Sequence, residues 1–355
     1  MLNFVNETTS LWDYLKSQRK PIVIYGMGDG AIKIMNVCES KGIKIAEIFA
    51  SNDYVRGHSF LGYEVKTLAK IEEEYSDFII LLAFATFEDS LLNKIYSIAE
   101  KHELYAPDVP VFGDGLFTYE YFIAHQNEFN EVYENLADDF SKKAYSQIIN
   151  FKISGKIEYL KSISTTRFED YSQLLPLFDG MTYVDLGAYD GDTIQEILSH
   201  DIKPDLMIAF EPDVKNFRKL KNNTDSIENI ELYNIGSFSH NAILHFNNKA
   251  GRNSALGEDG KIVDVQVDSV DNILCGRKAD YIKMDVEGAE LETLKGCLET
   301  IKSFKTALGV AAYHRNEDLF VLPKLILESN PNYKLYIRHN HYIPAWETII
   351  YAVNS

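Results

Sequence analysis

Short apolar runs alternate with amphipathic helical stretches twice over in this chain, and that double alternation limits it to folds in which helices cover largely parallel sheets. The first series runs from residue 21 to about residue 105, through PIVIYG, GAIKIMNVCESKG, IKIAEIFASN, KTLAKIEEEY and FIILLAF. The second begins near Pro176 with MTYVDLG and continues through DLMIAFEP, NIELYNIG, AILHF, IVDVQV, ADYIKMDVEG, TALGVAAYH, YKLYIRH and WETIIYAV. Between them, FTYEYFIAHQNEFNEVYENLADDFSKKAYSQIINFKIS carries aromatic and aliphatic residues at helical spacing, without strand-like runs. The pattern predicts an α/β chain of two Rossmann-like, doubly wound domains, residues 1–106 and 173–355, joined by a helical connector at 107–172. The closing run is expected to add an antiparallel edge to the second sheet.

Composition narrows the partners. Over 355 residues the formal charge is −18, which opposes nucleic acid phosphates and anionic membranes alike. A small molecule or a saccharide is the expected substrate, with no nucleic acid and no membrane insertion, while a homo-oligomer is compatible with everything the sequence shows. Cys38, Cys275 and Cys297 have neither disulfide nor zinc spacing, and the N-terminal residues lack a signal-peptide pattern, so a cytoplasmic location is expected. The longest apolar run, Phe78 to Phe87, is about half a membrane span and suits a buried strand.

Chemistry concentrates in VDLGAYDGDT, residues 184–193, where a strand turns into a helix. The spacing D-x-G-x-x-x-G differs from the G-x-G-x-x-G that brings backbone amides against a pyrophosphate, and its acidic residues disfavour a phosphate. A carboxylate at the mouth of such a turn suits an ammonium or sulfonium group. Asp185, Gly187, Ala188, Tyr189, Gly191 and Thr193 are the residues of this platform. The next strand ends in Ala209-Phe210-Glu211-Pro212-Asp213, and Glu211 stands where a ribose-binding carboxylate would be, although the same residue also suits a helix cap. Asn234 and Gly236, in YNIG, close the third strand end, where they would border an adenine or form an ordinary turn.

These pieces, with YNIGS at 233–237 and above all IKMDVEGAE at 282–290, resemble the FkbM family of S-adenosylmethionine-dependent methyltransferases over roughly residues 176–355. The resemblance implies a class I methyltransferase fold, bound S-adenosylmethionine, and O-methylation of a hydroxyl on a sugar or natural product, such as a surface-glycan precursor. The family's glycine loop more often reads D-V-G-A-N-x-G, so Tyr189 is a departure at the methionine end of the site.

Methyl transfer to an alcohol needs an aligned acceptor and a base for its proton. Strand alternation would put Lys283, Asp285 and Glu287 on one face at the end of YIKMDV. Asp285 is the leading candidate to contact the methyl region of the cofactor or to take the proton, with Glu287 assisting it or holding a divalent ion. The bland alternative is a helix N-terminus, Glu287 and Glu290 complementing the dipole of GAELETLKG. His314, at the next strand end, is the alternative base. His339 and His341 read as a solvated loop, and no metal-ligand set is assigned. Tyr342, Trp346 and Tyr351 are either sugar-stacking rings or core.

In the first domain, Gly26-Met-Gly28-Asp-Gly30 follows a strand and opens a helix, and Asp53 lies 23 positions beyond Gly30. The region resembles the small Rossmann-like domains that precede sugar-modifying enzymes, which implies either a site for a nucleotide-sugar or a scaffold. An NAD-dependent nucleotide-sugar oxidoreductase and a non-catalytic nucleotide-binding module are the competing readings. The first of these lacks its usual Y-x-x-x-K pair, since Tyr54, Tyr63 and Tyr75 have no lysine four residues on.

Overall fold

The computed structural model describes residues 4–51, 55, 57, 59–113, 115–247 and 262–354. Its strands, in chain order, are β1 (Ile22–Tyr25), β2 (Ile45–Phe49), β3 (Ser59–Phe60), β4 (Tyr63–Lys66), β5 (Ile79–Leu82), β6 (Glu103–Tyr105), β7 (Ser164–Thr165), β8 (Thr182–Leu186) and β9 (Leu206–Phe210). There follow β10 (Ile230–Tyr233), β11 (Gly236–Ser237), β12 (Ala242–Asn247), β13 (Ile262–Asp268), β14 (Tyr281–Met284), β15 (Ala307–Ala311), β16 (Tyr333–Asn340) and β17 (Thr348–Asn354).

The N-terminal sheet has the order β3-β4-β2-β1-β5-β6, parallel except for the short β3 hairpin edge. Strands β1 and β5 are buried along their whole length, as their continuous apolar sequences require of a sheet covered on both faces. Phe78 to Phe87 therefore supplies a core strand, and among the described residues no helix is long and apolar enough to cross a membrane.

The C-terminal sheet has the order β10-β9-β8-β14-β15-β17-β16-β7. Chain order reverses between β8 and β14, and this switch point is where an open α/β sheet receives a ligand. Two expectations need correction. Strand β17 is antiparallel, but it lies between β15 and β16 and pairs with both, so it is interior. The runs AILHF and IVDVQV form β12 and β13, which pair with β11 in a separate three-stranded sheet, because β12 and β13 meet as an antiparallel hairpin.

Helices Tyr119–Ala124, Gln126–Asn135, Asp139–Ser154, Glu158–Lys161 and Arg167–Leu174 fill the region between the sheets, and within it β7 adds an eighth strand beside β16. Helix Asp139–Ser154 is tied to β16 through the Ser141 hydroxyl, which accepts hydrogen bonds from Ile337 N at 3.1 Å and the Arg338 guanidinium at 2.8 Å. A buried ion pair, Lys152 to Asp108 at 2.8 Å, joins the same helix to the end of the N-terminal half. The two halves also meet directly, Thr86 and Ile343 exchanging backbone hydrogen bonds of 2.9 and 3.0 Å.

Candidate active site

Strand β8 is apolar except for Asp185, which lies in register with Lys283 of β14 on one side and Ala209 of β9 on the other. Asp185 is wholly buried. Burial pushes its carboxyl upward, and the Lys283 ammonium, 3.1 Å away, opposes that shift. Burial likewise pulls on Lys283, but the Asp185 and Asp285 carboxylates prevail and hold its pKa above the ordinary lysine value. The ammonium also donates to Gly187 O at 3.0 Å. Lys283 thus pins the glycine turn to the strand end.

The turn itself is shaped by close packing. Gly187 has φ +80°, and a Cβ there would stand 1.8 Å from Asp285 O. Glycine is required at this point by the protein's own backbone. The amides of Gly187 and Ala188 both donate to Phe210 O, at 3.0 and 2.9 Å, joining the turn to β9. Ala188 and Thr193 are buried beneath the turn, and Gly191 opens helix Asp192–Leu198 in a left-handed conformation. Tyr189 is also left-handed, at φ +49°; its ring is half exposed, with the Lys219 ammonium 5.3 Å from the ring centre.

Glu211, at the end of β9, is buried and faces this turn. One carboxylate oxygen accepts from Tyr189 N at 2.9 Å and the other from Asp213 N at 2.8 Å. Burial raises its pKa while those two amides draw it back. Each oxygen retains a lone pair for a further donor. Asp213 caps helix Val214–Asn223, accepting from Lys215 N and Asn216 N. The Asn234 side chain donates to Glu211 O at 2.8 Å and to Pro212 O at 3.2 Å, lacing the ends of β9 and β10 together. Gly236 packs against Val267 and Pro212.

Strand β14 ends at Met284, so the expected alternation does not extend through Glu287. The chain turns instead, with Glu287 at φ +54° and Gly288 at φ +91°. That turn returns the Glu287 carboxylate to the same cluster. His314, at 1% exposure, has Nδ1 2.9 Å from Glu290 and Nε2 3.5 Å from Glu287 and 3.6 Å from Asp285. Burial works against charge on the ring, but these carboxylates outweigh it and push the imidazole up to about 10. Glu290 is anchored by Val286 N at 3.0 Å and Gly288 N at 3.3 Å, both onto Oε1. Asp318, buried next to the cluster, is pushed up to about 7 by burial and by Glu290.

Three residues that sequence reasoning did not single out complete this rim. The Tyr313 hydroxyl donates to the Asp285 carboxylate at 3.0 to 3.1 Å, and burial followed by the Asp285 charge keeps the phenol protonated. Arg315 donates from Nε to Gly288 O at 2.9 Å. Phe112, from the segment after β6, packs on Gly288, meets His314 edge-on at 6.0 Å, and donates its amide to His314 O at 3.1 Å. Tyr313 directly precedes His314 in sequence, whereas nothing in the sequence around Phe112 marks it.

Other candidates fall elsewhere. His339 is fully buried within β16, because that strand is flanked by β17 and β7, and its Nε2–H donates to Tyr342 O at 3.1 Å; it is core and not solvated loop. His341 is exposed. Tyr351 is buried core, while Tyr342 and Trp346 lie partly exposed with ring centres 5.9 Å apart. In the first domain, a Cβ at Gly26 would meet the Phe84 ring at 2.6 Å and one at Gly30 would meet Ala83 O at 2.4 Å. Those glycines serve the packing of β1 against the end of β5. Asp53 lies outside the described residues.

The fit of a sulfonium nucleoside rests on two observations. Glu211 offers two free acceptor positions at the end of β9, and the fully buried Asp185 carboxylate has the Lys283 ammonium as its one ion-pair partner among the described residues, 3.1 Å from one of its oxygens.

Residues 185–343 match the methyltransferase FkbM domain. Over 94% of its length the chain superposes on 90% of the crystal structure of a methyltransferase FkbM from Methylobacillus flagellatus KT, with a TM-score of 0.74 at 21% identity, so the likeness of fold takes in both sheets. Smaller parts resemble the fibrillarin of Aeropyrum pernix in complex with natively bound S-adenosyl-L-methionine (15% identity, 50% of this chain and 69% of that one, TM-score 0.32). They also resemble the precorrin-6y C5,15-methyltransferase of Geobacter metallireducens GS-15 (13% identity, 51% and 84%, TM-score 0.34). No curated protein matches the chain significantly. Its C-terminal half is a methyltransferase FkbM domain on a class I methyltransferase fold, and the chain is therefore an S-adenosylmethionine-dependent methyltransferase.

Proposed function

We propose that the enzyme methylates a hydroxyl group on a sugar or surface-glycan precursor, with residues 173–355 as the catalytic domain, 107–172 as the connector and 1–106 as a scaffold. The observation that carries this reading is the cluster at the ends of β14 and β15. There the partly exposed Asp285 carboxylate is oriented by Tyr313, while the Asp285 backbone carbonyl packs against the glycine turn at Gly187.

S-adenosylmethionine supplies a methyl group on a positively charged sulfur, which passes to the acceptor oxygen by in-line displacement, the electron pair of the carbon–sulfur bond staying on sulfur. In this reading Glu211 holds the ribose hydroxyls and Asp185, paired with Lys283, faces the cationic end. Asp285 takes the acceptor's proton as its oxygen gains the methyl group. His314 is not the base, because the surrounding carboxylates hold the ring protonated at neutral pH. The saccharide part follows the family resemblance and the partly exposed rings of Tyr342 and Trp346, which offer a stacking face near the junction of the two halves. The packed glycines of the first domain support a scaffold over a second nucleotide site.

The test is incubation with methyl-labelled S-adenosylmethionine and a panel of nucleotide-sugars, following S-adenosylhomocysteine release and label in the product. Label recovered on a sugar hydroxyl supports the reading. Label appearing only on nitrogen or carbon acceptors removes it.

A further inference from the structure

The cluster beneath Asp285 has a feature that proton transfer leaves unexplained. Glu290 and His314 are both buried, with His314 Nδ1 2.9 Å from Glu290 Oε1, yet Glu290 Oε2 has no hydrogen-bond partner among the described residues. Buried polar atoms are ordinarily satisfied, and an unsatisfied buried carboxylate oxygen beside a buried imidazole marks a place that accepts something. Glu290 Oε1 is committed to two backbone amides, which fixes the carboxylate and leaves Oε2 available. Asp285 is likewise fixed by the Tyr313 hydroxyl.

One ligand atom each from Asp285, Glu290 and His314 lie within 4.8 Å of one another. The separation between His314 Nε2 and Asp285 Oδ1 is 3.6 Å. Two donors that each sit about 2.1 Å from a shared ion stand at most about 4.2 Å apart, so the His314–Asp285 pair is close enough to share one. We propose that Asp285, Glu290 and His314 form a binding site for one divalent first-row transition ion. Binding displaces to solvent the proton that the carboxylates otherwise hold on the ring, and the neutral imidazole with two carboxylates then suits Mn2+, Fe2+ or Zn2+ better than Mg2+, which favours oxygen ligands and water. The hydrogen bonds to Glu290 and Asp285 act as the outer shell that orients the ligands. Glu287, with its side chain 55% exposed and 3.5 Å from His314 Nε2, stands at the entry from the cleft. The ion's use in the reaction, lowering the pKa of an acceptor hydroxyl that coordinates it, rests on the methylation reading above; its binding does not.

The test uses the full chain, stripped with a chelator and titrated with Mn2+ while the free-ion electron paramagnetic resonance signal is followed. One Mn2+ per chain is expected, with Glu290→Gln and His314→Gln each weakening it tenfold or more. Both variants are expected to keep S-adenosylmethionine binding, which reports on the intact neighbouring turn. If either buried variant does not fold, Asp285→Asn is read instead, with circular dichroism as the fold control and the same tenfold loss expected. Equal Mn2+ uptake by wild type and variants, or none by wild type, overturns the site. Full methyl transfer in chelator with no Mn2+ uptake removes the ion and leaves the methylation reading standing. One bound Mn2+ sensitive to these substitutions, with no methyl transfer to any hydroxyl, supports the site and removes that reading.

Discussion

The carbonyl oxygen of Asp285 lies where a side chain at Gly187 would begin, 1.8 Å from the position of a Cβ. The glycine turn after β8 and the end of β14 are thus one packed unit. A Gly187→Ala substitution combines a left-handed backbone with a backbone clash, and the expected loss of stability is on the order of 3 kcal/mol or more. Gly28→Ala also meets a positive φ but has open space around the new methyl, so a loss of about 1 kcal/mol is expected there. Denaturant unfolding of both variants checks the contrast.

Lys283 is the charge that faces the buried Asp185. Replacing it with methionine leaves that carboxylate uncompensated, and a destabilisation of about 3 kcal/mol is expected. Adding Asp185→Asn in the same chain should recover a large part of the loss. A double-mutant cycle by chemical denaturation measures the coupling, and additive losses would show that the pair does not interact.

Asp285→Asn keeps the size of the side chain and its contact with the Tyr313 hydroxyl while removing its proton acceptor. Turnover should fall by a factor of about 100 to 10,000. Tyr313→Phe removes only the group that orients Asp285, so a smaller loss is expected. Steady-state S-adenosylhomocysteine release across pH, for both variants, separates the two effects.

Burial lowers the pKa of His339 to about 4. An unfolded chain binds a proton at this residue near pH 6.5, so between pH 6.5 and 4 the unfolded state holds more protons and stability falls as pH is lowered. The loss at the acid end is up to about 3 kcal/mol, from 2.5 pH units at about 1.4 kcal/mol each. His339→Leu should flatten the stability profile over this window, as read by thermal unfolding at several pH values. An unchanged slope would place the acid sensitivity elsewhere.

The alternation of apolar runs and helices carried both sheets, because strands covered on two faces must be largely apolar, as β1 and β5 are throughout. Periodicity did not distinguish β12 and β13 from main-sheet strands, since membership depends on which partner a strand meets and not on its own pattern. The positions of Asp185, Glu211 and Asp285 followed from their places at strand ends. The reason for Gly187 did not, because the atom it accommodates belongs to a residue 98 positions later in the chain. Phe112 and the pairing of Glu290 with His314 were invisible for the same reason: each contact is made by segments that only the folded sheet brings together. His339 was misread because its polar neighbours in YIRHNHY concealed a buried strand position between β17 and β7.

The central claim is that the first strand ends of the C-terminal sheet, and not the glycine turn of the N-terminal one, hold the cofactor. Calorimetric titration of S-adenosylmethionine into wild type, Glu211→Ala and Gly28→Ala tests it directly. The account predicts at least a tenfold loss of affinity for Glu211→Ala, about 1.4 kcal/mol or more, and unchanged affinity for Gly28→Ala. Wild-type affinity in Glu211→Ala, with binding lost in Gly28→Ala, would contradict it.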